Sequence, residues 1–243
     1  MSHIHFPDGI LPTWLWVSGF VIAILVWVVF FRLIQREDLG KRLPLLGMMA
    51  AAMVLGAAVE ILPIAYHVNL TVISGMLLGP SLVYLATFVV NVLLALFGHG
   101  GITVIGLNTL VLSLEGILGY YLFRLFRRVL KRLVVASFLA TFLALLVSTC
   151  AMIGIVSLGT THYGELLDHG DENGIIGFEL GKDKGHDKEA VRPKKEVNFG
   201  RFIAVVLPLG FIGWILEGII TSLMMRYIYR LRPDLLGMGS QEA

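Results

Sequence analysis

The sequence is short of cysteine, short of charge, and has no phosphate-binding loop. Its 243 residues hold one cysteine, Cys150, set in an apolar run. That excludes a disulfide framework and a thiolate metal cluster. Charged residues make up 15% of the chain against 57% apolar, and the mean hydropathy is +0.84. Charges are missing from long stretches and crowded into a few short ones, a membrane pattern rather than a globular one. Without a G-x-x-x-x-G-K-[ST] loop the chain is not expected to hydrolyse ATP itself. Residues 1–12 lack the basic stretch that opens a secretory leader, and the apolar run behind them is longer than a leader's core. No cleaved targeting peptide is therefore expected. The net charge of +2 says little. Its distribution says more, because basic loops set orientation.

What is present is a series of apolar spans. Thr13–Phe31 runs without a charge, enough for one spanning helix, with Trp14 and Trp16 at its start as interfacial aromatics. Arg32, Arg36, Lys41 and Arg42 follow, which puts 32–43 in the cytoplasm and the N-terminus outside. Pro44–Ala65 is the second span. Its Gly47, Ala50, Ala51, Ala52, Gly56, Ala57 and Ala58 suit close approach of helices, inside the bundle or against another membrane subunit. Gly79-Pro80 then breaks the apolar stretch 68–98. Two segments there, 70–79 and 81–97, keep Arg124, Arg127, Arg128, Lys131 and Arg132 in the cytoplasm, whereas one would put them outside. The first segment is only about 15 Å long at the helical rise. It must be partly re-entrant or shielded by protein. Ile102–Phe123, Leu133–Leu158 and Phe202–Tyr229 complete the set. The expected fold is an all-α integral membrane protein of about seven transmembrane helices, the third short, multi-pass in the plasma membrane. Twelve of the nineteen Lys and Arg then lie inside.

The polar residues that remain suggest chemistry. A terminal amine, backbone amides and the imidazole of His3 or His5 lie within a few residues of each other. Such nitrogen donors bind Ni(II), Cu(II) or Co(II) in tetragonal geometry. The topology brings this segment, His67 and His99 to one side of the membrane. The organisation read here is a metal-binding segment at 1–12, a six-helix membrane core at 13–158, an outer polar loop at 159–200, and a last transmembrane helix with cytoplasmic tail at 201–243. Asp8 caps the first helix or holds a ligand imidazole. Glu60, Glu115 and Glu217 are intramembrane carboxylates, either functional or paired with backbone or Asn in the bundle interior. Asn69 and Asn108 can satisfy broken backbone. The loop histidines His162, His169 and His186 are too far apart for a local site, and the loop reads as solvated.

The sequence resembles the substrate-capture (S) component of the energy-coupling-factor importers for nickel and cobalt, the CbiM/NikM family. The resemblance covers about the whole chain. It rests on His5-Phe6-Pro7-Asp8-Gly9-Ile10-Leu11-Pro12, on His67 with Gly79-Pro80 twelve residues on, and on Gly98-His99-Gly100-Gly101-Ile102-Thr103 leading to Gly106 and Asn108. It implies a metal held by an N-terminal amine, nitrogen donors of the early His, and the His after the second span. It implies a transported Ni(II) or Co(II) as ligand, with no catalytic cofactor and no enzyme activity. The partners implied are a coupling transmembrane (T) subunit and cytoplasmic ATPase subunits, with room for a small accessory membrane subunit and no nucleic acid.

There are two departures from the family pattern, which usually begins Met-His and carries Asp-Gly-Gly in the later turn. Here Met1, Ser2 and His3 precede Ile4-His5, and His99 stands in place of the Asp. Two donor sets remain open. With Met1 kept, the amine, the Ser2 and His3 amide nitrogens and the His3 imidazole form a square plane. With Met1 removed, the Ser2 amine, the His3 amide and the His3 imidazole leave a fourth position for His67 or His5. The second set matches the family's shape and gives His67 a role, with His99 beside the entry path. Coordinated amides must be deprotonated, so affinity should fall in acid. Two rival readings are an intramembrane metalloenzyme built on His67, His99 and a Glu, and a non-transporting metal sensor. The first is weakened by the lack of H-E-x-x-H.

Overall fold

The computed structural model describes residues 11–33, 36–58, 60–61, 66–98, 100–159 and 199–236. Among these residues the fold is seven helices: α1 (Thr13–Leu33), α2 (Arg36–Ala58), α3 (Thr71–Leu78), α4 (Pro80–Leu96), α5 (Ile105–Leu130), α6 (Leu133–Gly159) and α7 (Phe199–Leu231). A pair of two-residue strands, β1 (Glu60–Ile61) and β2 (Tyr66–His67), stands between α2 and α3. A 3-10 turn, Pro233–Leu236, follows α7.

Thr13–Arg32, Ile105–Leu130, Leu133–Gly159 and Val206–Leu231 are each long and apolar enough to cross a membrane. Arg42–Ala57 and Pro80–Leu96 are shorter apolar helices. The outer surface agrees with lipid contact. Val21, Ile24, Leu25, Val29 and Phe31 of α1 are all more than half exposed, a density of apolar surface that water-soluble monomers rarely show.

The break at Gly79-Pro80 falls where the sequence puts it. Gly79 has φ +83 and ψ 174, a backbone conformation open to glycine and strained for other residues. Pro80 is the first residue of α4, where its missing N–H costs nothing. The short helix before the break is shielded by protein: all eight residues of α3 are buried.

α2 departs from expectation at both ends. It begins at Arg36 rather than Pro44, and Pro44 sits inside it. The stretch ahead of the proline holds good helix formers in Glu37, Leu39, Lys41 and Arg42. Pro44 itself is exposed, so its lost hydrogen bond is not a buried defect. At the other end α2 stops at Ala58, where Pro44–Ala65 was expected to run on. The chain instead pairs antiparallel, Glu60 with His67 and Ile61 with Tyr66. Glu60 is thus in a strand rather than in a helical span. α5 is shifted too: it starts at Ile105 and runs to Leu130, so Arg124, Arg127 and Arg128 belong to its last turns. Lys131 ends it in the left-handed conformation, φ 52, and its carbonyl accepts from the Arg127 guanidinium at 2.6 Å.

α5 is the central post, with α1, α3, α4 and α6 packed around it; α7 packs on α6. Backbone meets backbone at the tightest crossing, where a Cβ on Gly75 of α3 would collide with the Gly116 carbonyl oxygen of α5. One apolar core, including Ile73, Leu77, Leu82, Ala140, Leu145 and Met225, joins α3, α4, α6 and α7. A second, with Leu11, Leu15, Val104, Leu107, Met152 and Val156, closes the end where α1 begins.

Candidate metal centre

His67 is the last residue of β2, half-buried and in register with Glu60. Met1, Ser2, His3, His5 and His99, the other candidate ligands, lie outside the described residues, as do Asp8, His162, His169 and His186. Among the described residues no group of three or more His, Cys, Asp or Glu is placed to hold a metal. The described chain opens at Leu11, which is buried against Leu15, Val104, Leu107 and Met152. Leu11 thus packs where α5 begins and α6 ends. The backbone on either side of His99 bends sharply, with φ +79 at Gly98 and +101 at Gly100.

Below His67 the chain enters the bundle interior, and there a buried polar cluster takes shape. Asn69, two residues on, is 5% exposed, while Glu115 of α5 and Glu217 of α7 are fully buried. The Asn69 side-chain amide donates to Glu115 Oε1. Its backbone N–H donates to Glu217 Oε2 at 3.2 Å. Its Oδ1 accepts from the Thr71 N–H at 2.8 Å, an Asx turn that starts α3. Ser148 of α6 lies against Glu115 and donates to the Val111 carbonyl at 3.3 Å. Two acidic side chains thus meet at Asn69, just ahead of α3. Burying a carboxyl group is costly unless it is hydrogen-bonded, and Asn69 supplies a donor to each of the two.

The reading of Glu115 as paired with Asn in the interior holds, and Glu217 joins the same residue. Sequence reasoning flagged Asn69, Glu115 and Glu217 singly and missed that they meet. It also missed Ser148, and it named Gly56 only as one of the small residues suited to close helix approach. A signal for Glu115 was available: Asn108, Leu112, Glu115 and Gly119 recur at helical spacing on one face of α5, all of them buried. A second buried polar contact joins α4 to α5, where the Asn91 amide donates to the Thr87 carbonyl at 2.9 Å and to the Thr109 hydroxyl at 3.4 Å.

A family model described as CbiM, cobalt uptake substrate-specific transmembrane region, matches residues 5–235. The chain belongs to the CbiM family. It is accordingly a multi-pass membrane component of a metal-transport family. The cobalt transport protein CbiM of Geobacter sulfurreducens is 29% identical over 99% of this chain, which spans 64% of that relative's length. A putative fused cobalt transport protein, CbiMQ, of Methanocorpusculum labreanum is 25% identical over 96% of this chain, which spans 36% of it. The crystal structure of a truncated transition metal transporter has the same fold, with a TM-score of 0.70 at 17% identity over 93% of this chain and 99% of that one. In this CbiM-family chain His67 thus ends a strand two residues ahead of Asn69, which binds the buried Glu115 and Glu217.

Proposed function

We propose that this CbiM-family chain is the metal-capture subunit of an ATP-driven importer of the energy-coupling-factor type, taking up Ni(II) or Co(II). The ion is bound at the outer face by the amine and amide nitrogens of Met1 or Ser2 and His3, with His67 closing the site and His5 or His99 close by. Residues 1–12 are the metal-binding segment, 13–158 the membrane core, 159–200 an outer loop and 201–243 the last helix with a cytoplasmic tail. The protein performs no covalent chemistry. A coupling transmembrane subunit and cytoplasmic ATPases supply the energy, a reading supported by a relative named as a CbiMQ fusion.

The observation that carries this reading is the family match over 5–235, which includes His67 in its half-buried strand. Imidazole and amine nitrogens suit Ni(II) and Co(II), although Cu(II) would bind more tightly by intrinsic order. The test is calorimetric titration of the purified protein with Ni(II), Co(II), Cu(II) and Zn(II), after mass spectrometry has established whether Met1 is kept. His67→Ala is expected to weaken Ni(II) and Co(II) binding by about 10- to 100-fold or more, the range seen when even a ligand's supporting residue is lost. Parental affinity in His67→Ala would remove the central ligand and with it this reading.

A further inference from the structure

We infer that Glu115, Glu217 and Gly56 are positioning residues for the metal site, holding His67 at its working depth by gripping the two residues that follow it. The inference rests on His67 being a ligand.

The grip comes from two sides. On one side Asn69 is tied to Glu115 through its side chain and to Glu217 through its backbone N–H, so α5 and α7 hold it together. On the other side α2 presses on the preceding residue. A Cβ on Gly56 would stand 2.5 Å from the Val68 carbonyl oxygen, so the bare glycine lets the helix approach the backbone just after β2. Val68 and Asn69 are thereby fixed from three helices. His67 is two residues upstream, and two residues of chain span at most about 7 Å. With Asn69 fixed, little freedom is left for the His67 backbone.

The chemistry suits a placing device. Glu115 and Glu217 are fully buried, with Asn69 between them. A membrane bundle could fill that space with apolar side chains at less cost. Directional bonds to one backbone N–H and one amide set a position in a way that apolar packing does not. Residues behind a ligand commonly govern its affinity by orienting it. The sequence separations of 46 and 148 residues mean that these bonds form only when α5 and α7 are in place. The height of His67 is thus set by the assembled bundle, not by its own strand.

The test uses the purified full chain in detergent and titration with Ni(II). Glu115→Ala and Glu217→Ala are expected to weaken Ni(II) binding about 10- to 100-fold, as is typical of residues behind a ligand, and to move the visible d–d band of the loaded protein. Glu115→Gln and Glu217→Gln keep an acceptor oxygen and should restore parental affinity and band. Gly56→Ala leaves both carboxylates in place and should weaken binding in the same direction by displacing Val68. A purely structural role would lower the melting temperature of the alanine variants without moving the band of the protein that remains folded. Parental affinity and band in folded Glu115→Ala and Glu217→Ala overturn the inference. If the alanine variants fail to fold, parental affinity in Gly56→Ala overturns it instead. His67→Ala, measured alongside, separates the two levels. Unchanged binding there sinks the ligand reading, whereas lost binding there with unchanged binding in the other variants sinks only the positioning role.

Discussion

At the scale of single residues, Asn69 has the most to lose. It is the shared donor for two fully buried carboxylates and the acceptor that starts α3. Truncation to alanine keeps the backbone N–H on Glu217 but takes the amide from Glu115, and it strips the Thr71 N–H of its acceptor. A buried polar group left short of a hydrogen bond costs more than the bond's net worth, so Asn69→Ala is expected to destabilise the protein by about 1–3 kcal/mol. A clear drop in melting temperature in detergent is the measurement; an unchanged one would mean that solvent or Ser148 substitutes freely. By contrast, Arg232 and Asp234 form a fork at the end of α7, with contacts of 2.9–3.3 Å. The guanidinium holds the Asp234 carboxyl below its ordinary range, yet both groups are fully exposed and contribute little. The meeting at Asn69 could not be read from sequence, because local pattern carries no record of which distant helix face arrives opposite. What was legible was each residue's type: three polar groups in apolar surroundings that had to find partners.

At the scale of elements, glycine positions divide cleanly by what stands opposite them. Gly75 of α3 faces the backbone of Gly116 in α5, and neither side has a flexible atom to move. Gly75→Ala therefore has to push two helices apart, a strain expected to reach about 3 kcal/mol or more. Gly47 of α2 has nothing within 4 Å. There an added methyl meets no neighbour and removes some of glycine's unfolded-state freedom, so Gly47→Ala is expected to be neutral or to stabilise by about 0.5–1 kcal/mol. Thermal melting of the two variants side by side checks the contrast; equal melting temperatures would show that the α3–α5 crossing yields easily. The same elements show why some boundaries were legible. Gly79-Pro80 punctuates α3 and α4 because each residue has a strong conformational restriction of its own. Pro44 misled because a proline can begin a helix or sit exposed within one, and local chemistry does not distinguish these. β1 and β2 were missed because two-residue strands leave no periodic pattern, so Glu60 was placed in a helix that ends at Ala58.

At the scale of the whole molecule, two of the three apolar cores among the described residues bear on the site, the third joining α2 to α4 through Ala50, Met53, Val90 and Leu94. One gathers α3, α4, α6 and α7 around the short helix, while the other seats Leu11 and Leu15 against α5 and α6 at the end where the chain enters α1. Leu11 in the second core is where the described chain opens, directly after most of the proposed metal-binding segment. Ten residues ahead of Leu11 can reach at most about 35 Å, which bounds how far from Leu11 the terminal amine can lie. A donor set built on that amine has a demanding requirement: the nitrogen must carry a lone pair and must be free of bulk. Acetylation removes the first, because an amide nitrogen does not coordinate without deprotonation, and a fused tag removes both. Either change is expected to collapse metal uptake by cells carrying the intact transporter, and to weaken Ni(II) binding by the purified chain by at least about 10-fold. The helical bundle should be untouched, since Leu11 and everything described after it keep their contacts, so melting of the metal-free protein should not change. Uptake that persists with a blocked terminus would move the primary ligands onto the imidazoles of His3, His5, His67 and His99.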